Sequence, residues 1–196
     1  DTPEQITADA LQVGIEAQLE AVNLSMSTYR PDSEISRFNG LGVDTWFTPS
    51  AQFHQVLSTA LEVGRHSEGA YDVTVAPLVA LWGFGPAGSV VAPPDQAAIA
   101  TALQNVGQIH LELDDSAGSV RKRRPLSLDF SSLAKGYAVD QVAQWLLSEG
   151  VQRFLVEVGG EMRLAGMSAR GDKWRIAIEQ PDSAARAVAE AIALTD

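Results

Sequence analysis

The sequence predicts an α+β fold in which amphipathic helices are combined with short strands grouped in hairpins. Apolar residues recur at helical spacing in four segments, which span residues 6–26, 49–64, 94–106 and 133–149. Period-two patterns bounded by turn residues predict strands over residues 109–113, 119–123, 154–158, 162–165 and 174–178. Because these strands are grouped in hairpins with helices between the groups, the pattern does not predict a parallel Rossmann sheet.

Length and composition limit the classes of protein to consider. The 196 residues are 45% hydrophobic and 20% charged, so we expect a single globular domain over residues 1–196. A net charge of −11 argues against nucleic acid and anionic membrane surfaces as main partners. No apolar run approaches the about 18 residues that a transmembrane segment needs. The chain has no cysteine, which excludes disulfides and thiolate metal sites.

One loop interrupts the helices of the first third of the chain. The helix of residues 6–26 ends before Pro31, and residues 34–38 form a further short helical turn. Tyr29 lies in the intervening loop. Its ring is either an exposed flat surface for an aromatic ligand or packed inward with its hydroxyl satisfied, and the sequence alone favours inward packing.

Asp72 is the single acid in a mostly apolar run, residues 69–85. A carboxylate in such a run must be exposed, paired or hydrogen-bonded, because burying it bare is costly. Two interpretations remain open, a bond to nearby backbone N–H groups and a ligand contact in a cleft. At the end of the run, Gly83–Gly88 has the form GxGxxG, but no strand–turn–helix context surrounds it, so it predicts a loop.

Two further segments allow two interpretations each. The basic run Arg121–Arg124 is predicted to be a solvated hairpin edge, with an anion contact as the alternative. Residues 187–194, AVAEAIAL, are either a helix, which alanine favours, or a strand with its β-branched and apolar residues on one face.

The stretch SLDFSSLAKGYAVD, residues 127–140, brings several polar groups to the start of one helix. A short strand is predicted around residues 126–128, with Asp129 at its end, and Ser131 and Ser132 are N-cap candidates for a helix that runs from residue 133 to 149. A lysine and a glycine follow in the first turn. Taken alone this is an ordinary capped helix, or a site for an anion at the positive end of the helix dipole.

Taken together, four motifs in order resemble the ApbE family of flavin transferases, which attach FMN from FAD to a threonine or serine of a partner flavoprotein. The motifs are MSTYRPDSEISRFN, GAYDVTVAPLVALWGFGP, LDFSSLAKGYAVDQVA and FLVEVGGEMRLAG, followed by WRIAIEQP. The likeness runs from Ser25 to Pro181. It implies an α+β fold of T-fold-related mixed sheets with packed helices, and a central cleft that holds FAD with Mg²⁺ at its pyrophosphate.

The resemblance also implies roles for particular residues. Tyr29 corresponds to the aromatic that stacks on the flavin nucleotide, and Asn39 to a residue that helps to distinguish FAD cleavage from FAD retention. Further positions that correspond to FAD contacts are Ala70, Tyr71, Asp72, Asp129 and Lys135. Ser132 matches the position whose backbone carbonyl binds the metal. No residue is assigned a catalytic role.

Members of the family are usually longer than this chain, with an N-terminal methionine that covers the flavin and a C-terminal region that supplies side-chain Mg²⁺ ligands. We therefore expect the chain to be a fragment that lacks the family's C-terminal region and is inactive alone.

The resemblance predicts an enzyme, an FAD-dependent transferase that moves FMN to an acceptor flavoprotein with the help of Mg²⁺. The alternative is an FAD-binding accessory or maturation flavoprotein of a periplasmic respiratory enzyme, without transferase turnover. Family members are commonly exported, so we expect a periplasmic location, with a membrane anchor in the precursor as a variant of it.

Overall fold

The computed structural model describes residues 6–88, 92–114, 116–181 and 187–195. Within these ranges it confirms the α+β prediction with six α-helices and six strands. The helices are α1 (Ala8–Met26), α2 (Glu34–Gly40), α3 (Ala51–His66), α4 (Ala76–Leu81), α5 (Gln96–Leu103) and α6 (Ser131–Ser148). None of these helices is long and apolar enough to cross a lipid bilayer.

All six strands pair antiparallel in three two-stranded sheets, which confirms the predicted grouping of strands in hairpins. The strands are β1 (Leu111–Asp114) with β2 (Ser119–Lys122), β3 (Phe154–Val158) with β4 (Glu161–Ala165), and β5 (Trp174–Glu179) with β6 (Val188–Leu194). The ambiguous segment at residues 187–194 is thus a strand, because its apolar positions pair with those of β5: Ile192 lies opposite Ile176 and Leu194 opposite Trp174.

Three helices are capped by the polar residue that directly precedes them. The side chain of Ser33 accepts a hydrogen bond from Ser36 N at the start of α2, and Ser50 caps α3 in the same way. Asp95 caps α5, which spans Gln96–Leu103 and is shorter at both ends than the predicted segment of residues 94–106. The predicted strand of residues 109–113 begins later, at Leu111, after a 3₁₀ turn.

The start of α6 differs from the prediction. Residues 126–128 form no strand but only an isolated parallel bridge between Val75 and Ser127. The helix starts at Ser131, so the two serines lie inside its first turn and do not cap it. Instead, the carboxylate of Asp129 accepts a 2.7 Å hydrogen bond from Ser131 N. A carboxylate serves here because it can satisfy one of the unpaired N–H groups of a first turn.

The interpretation of Arg121–Arg124 as a solvated edge is wrong for Lys122, which is only 3% exposed. Successive side chains of a strand point to opposite faces, so in β2 Lys122 turns inward. Arg121, on the other face, lies over the Trp46 ring with its guanidinium carbon 4.3 Å from the ring centroid, and it pairs with Glu112 at 2.7 Å.

The chain forms two units, and each has its own apolar core. The second unit, residues 20–134, is centred on aromatic rings. The Phe53 ring lies 5.0 Å from the Phe130 ring and 6.4 Å from the Phe38 ring, centroid to centroid, and all three are fully buried. The single domain expected over residues 1–196 stays a prediction.

The first unit comprises residues 1–19 and 135–196. Its apolar core cluster consists of Val142, Ala143, Leu146, Val151 and Phe154, and partly buried apolar side chains of α1 pack against them. Gly14 permits this packing, because a Cβ at Gly14 would overlap the indole ring of Trp145.

We expect Gly14→Ala to lower the free energy of unfolding by about 1–2 kcal/mol. Overpacking costs about 1–3 kcal/mol, and the better helix propensity of alanine returns only up to about 1 kcal/mol. The matched control is Gly136→Ala in α6, where an added Cβ meets no atom of the described residues within 4 Å. Chemical denaturation should show a gain for the control; equal effects of the two variants would contradict the packing account.

Candidate functional site

A pocket of about 470 Å³ lies within the second unit. Such a volume falls in the range of small-molecule sites, which combine apolar walls with a few polar groups. The pocket is lined by Thr28, Ser36, Asn39, Ala76, Pro77, Val79, Ala80, Gly85, Pro86, Ser127 and Asp129. Three of the four resembling motifs therefore contribute to one concave surface, and two predicted site residues, Asn39 and Asp129, line it.

Asn39 is held by both ends of its side-chain amide. Its Nδ2 donates to the carbonyl of Leu128 at 2.9 Å, and its Oδ1 accepts from Leu128 N at 2.7 Å. This reciprocal pairing fixes the orientation of the amide, since each end faces a backbone group of definite polarity. It also joins the end of α2 to the segment that carries Ser127 and Asp129.

Asp129 is only 8% exposed. Its backbone N–H donates to Val73 O at 2.9 Å, which aligns the segment with residues 73–75, and its Oδ1 accepts from Ser131 N at 2.7 Å. Among the described residues the Oδ2 atom has no hydrogen-bond partner. Asp129 therefore has an acceptor oxygen that no described residue uses.

Asp72 uses both carboxylate oxygens within the unit. Oδ1 accepts from the N and the Oγ1 of Thr74 at 2.8 and 2.6 Å, and Oδ2 accepts from Gln108 N at 2.9 Å. Thr74, which is fully buried, in turn accepts from Gly107 N at 2.7 Å. The bonds to backbone N–H groups that one interpretation requires are present, while the ligand contact stays a prediction.

Tyr71, which precedes Asp72, is hydrogen-bonded to the start of α6. Its hydroxyl lies 3.0 Å from the hydroxyl of Ser132. Burial raises the pKa of Tyr71, the bond to Ser132 opposes this, and the negative charges of Asp129 and Asp72 raise it further. The structure thus brings the side chains of Tyr71 and Ser132 together, with both carboxylates close enough to act on the phenol.

The ring of Tyr29 does not pack inward: the residue is 67% exposed. Its hydroxyl donates to the carbonyl of Phe84 at 3.3 Å, and Phe84 is itself 75% exposed. The neighbours of these two residues in sequence, Thr28 and Gly85, line the pocket. Two exposed aromatic residues are therefore each adjacent in sequence to a residue that lines the pocket.

The remaining predicted residues lie away from the lining of this pocket. Ala70 is in an exposed turn and donates its N–H to Ser67 O at 3.0 Å. Lys135 belongs to the first unit, where its Nζ lies 3.0 Å from Glu161 Oε1 and donates to Gly159 O at 3.2 Å. The bond from Lys135 lowers the pKa of Glu161.

The described residues contain no group of three or more His, Asp or Glu side chains placed to hold a metal ion. The carbonyl of Ser132 as a metal ligand stays a prediction. Mg²⁺, however, is often bound through one or two carboxylates together with substrate phosphates and water. The free oxygen of Asp129 is compatible with that kind of site.

Sequence reasoning did not single out several lining residues, although it had placed them in the resembling motifs. Ser36 was one; it precedes Asn39 by three positions, which places both on one face of α2. The lining residues of α4 were also not singled out. These residues, Ala76, Pro77, Val79 and Ala80, are apolar and indicate a core position, so only the fold could show that they border a cavity.

We expect Asp72→Asn to lower the free energy of unfolding by about 1–3 kcal/mol, because an amide NH₂ would face a backbone donor and leave it unsatisfied. The control is Asp32→Asn, which removes an exposed ion pair with Arg30 and should cost no more than about 1 kcal/mol. Urea unfolding of both variants measures the difference. If Asp72→Asn lowers the free energy of unfolding no more than its control does, the hydrogen bonds of Asp72 do not stabilise the fold.

The model of the ApbE family matches residues 1–196. The chain is 43% identical to the FAD:protein FMN transferase of Vibrio cholerae over 183 residues, covering 93% of this chain and 54% of that protein. It is 41% identical to the enzyme of the same name from Haemophilus influenzae, covering 95% and 55% respectively. The chain thus spans about half the length of the curated relatives it matches.

Solved structures agree with the sequence comparisons. The flavin transferase ApbE from Vibrio cholerae superposes with a TM-score of 0.91 and 40% identity, covering 100% of this chain and 63% of that chain. The apo form of the flavinyl transferase ApbE from Pseudomonas stutzeri gives a TM-score of 0.85 at 36% identity, covering 99% and 60%. The chain belongs to the ApbE family.

Proposed function

We propose that the protein containing this chain is an FAD:protein FMN transferase and that the pocket of the second unit receives part of FAD. The observation that carries the proposal is the meeting of Asn39 and Asp129 at one pocket of suitable volume. The similarity to two transferases of that name, at 43% and 41% identity, supports the choice of substrate.

The proposed reaction breaks the pyrophosphate bond of FAD. The hydroxyl oxygen of an acceptor threonine or serine attacks the phosphorus of the FMN half, and AMP leaves with the bridging oxygen. The hydroxyl proton passes to a base, for which no described residue is assigned. Because the phosphates repel a nucleophile and charge develops on the leaving group, such transfers depend on positioning and on electrostatic stabilisation.

The described residues would bind and orient the nucleotide. Tyr29 and Phe84 offer exposed ring faces on which a planar ring can stack. A tyrosine is protonated at neutral pH and burial raises the pKa of Tyr71 further, so its hydroxyl can donate to a phosphate oxygen instead of repelling it.

Asp129 accounts for the proposed metal requirement. A carboxylate beside a pyrophosphate repels it unless a cation lies between them. Mg²⁺ bound there would neutralise the phosphates and polarise the phosphorus. Its proposed ligands from this chain are the free oxygen of Asp129 and the carbonyl of Ser132, and phosphate and water oxygens would complete the shell.

The test uses the full-length protein with FAD, Mg²⁺ and a peptide that carries a threonine acceptor. A peptide mass increased by one FMN, with release of AMP, is the expected result. An unchanged peptide mass with FAD still bound would instead support the FAD-binding accessory or maturation role. Absence of FAD binding in the presence of Mg²⁺ would contradict both.

Tyr29→Ala is expected to weaken FAD binding about tenfold, since stacking of a base on an aromatic side chain is worth about 1–3 kcal/mol. Its control is Ile109→Ala, which removes an apolar side chain of a residue that is 84% exposed and does not line the pocket. Titration of FAD fluorescence measures both affinities. If the Tyr29→Ala variant binds FAD as tightly as the control variant does, Tyr29 does not contact FAD.

The partner and location are proposed on the family relationship alone. We propose an acceptor flavoprotein with a threonine or serine attachment site, in the periplasm. Cell fractionation of the native organism tests the location: recovery of the protein in the cytoplasmic fraction only would contradict it.

A further inference from the structure

Lys122 is a buried cation without a carboxylate partner among the described residues. It is 3% exposed, and burial lowers the pKa of its ammonium group. Moving an ammonium group out of water is costly unless other groups replace its hydration. An apolar side chain at this position of β2 would avoid that cost, so the interactions of the ammonium group require an explanation.

The ammonium group has three neighbours that it can interact with, two carbonyl oxygens and one aromatic ring. Nζ donates to the carbonyl of Asn39 at 2.8 Å and to the carbonyl of Leu126 at 3.0 Å. It also lies 5.5 Å from the centroid of the Phe38 ring, within the range of a cation–π contact. Lys122 is thus coordinated by the end of α2 on one side and by the segment after β2 on the other.

These two acceptors border the pocket. Asn39 lines it directly, and Leu126 is adjacent to Ser127, which also lines it. The side chain of Asn39 binds the backbone of Leu128, one residue before Asp129. The end of α2 and residues 126–129 are therefore linked twice, once by the amide of Asn39 and once by the charge of Lys122.

We propose that Lys122 is a positioning residue for the pocket, which holds Asn39 and the segment of residues 126–129 at the spacing that ligand binding requires. The proposal rests on the proposed function in taking FAD as the ligand. Lys122 does not line the pocket itself, so its effect on the ligand must pass through Asn39 and this segment.

A role in packing alone makes a different prediction. If Lys122 only filled space, a methionine of similar length would replace it without loss, as hydrophobic residues often replace buried charges. If it positions the pocket, the same substitution leaves the carbonyls of Asn39 and Leu126 without their charged donor. The two elements could then move apart in a protein that is still folded.

The experiment compares Lys122→Met with Arg124→Met. Arg124 is exposed, forms no side-chain bond with a described residue, and lies outside the pocket. Its substitution therefore removes one positive charge, as Lys122→Met does, without removing a side-chain interaction. For Lys122→Met we expect FAD affinity reduced about tenfold or more, in line with the loss of charge-assisted hydrogen bonds. Arg124→Met should stay within about twofold of the unmodified chain.

Hydrogen exchange supplies a readout that does not involve FAD. The N–H of Leu128 is bonded to Asn39 Oδ1, so its exchange should accelerate about tenfold in Lys122→Met, while amides of the β3–β4 hairpin keep their rates. A folded Lys122→Met with unchanged FAD affinity and unchanged exchange at Leu128 would overturn the proposal. Unmodified protein that fails to bind FAD would count against the proposed function, and the exchange result would still decide on Lys122.

A further measurement on the unmodified protein covers the case in which Lys122→Met does not fold. The lysines of this sequence are Lys122, Lys135 and Lys173, and their ammonium signals can be assigned by NMR. We expect a slowly exchanging ammonium signal from Lys122 that shifts when FAD is added, whereas the signal of the exposed Lys173 does not shift. A Lys122 signal insensitive to saturating FAD would overturn the proposal.

Discussion

The pocket depends on how an irregular stretch of backbone, residues 126–129, satisfies its polar groups. A buried backbone group without a partner costs as much as a lost hydrogen bond, so each must find one outside a regular sheet. The carbonyl of Leu126 accepts from Lys122, both polar groups of Leu128 pair with Asn39, and the N–H of Asp129 donates to Val73 O. Three other segments of the second unit are thereby fixed around one stretch of chain.

The two acids of the predicted site accept different numbers of hydrogen bonds, and this difference indicates different roles. Asp72 accepts three hydrogen bonds from Thr74 and Gln108, which use both of its oxygens. Asp129 accepts one, from Ser131, and lines the pocket with the other oxygen unpaired among the described residues. A carboxylate that is already saturated gains little from a ligand, whereas one with a free oxygen can bind a cation or a donor.

Hydrophobic periodicity was sufficient to predict the fold class, because both the helices and the hairpins bury one face. It could not identify Lys122 as buried, since a run of four basic residues has the pattern of a solvated edge. Likewise, the exposure of Tyr29 is decided by tertiary contacts and not by the loop in which it lies. Asn39 and Asp129 were predicted from the family resemblance, but the bonds that hold them join residues up to 89 positions apart, which no local pattern encodes.

The most direct test of the account is an NMR titration of the protein with FAD in the presence of Mg²⁺. If the pocket of the second unit is the nucleotide site, the largest amide shifts will cluster at its lining, in α2, in α4 and at residues 127–129. Shifts concentrated in the β3–β6 hairpins, or an absence of saturable shifts, would contradict the account.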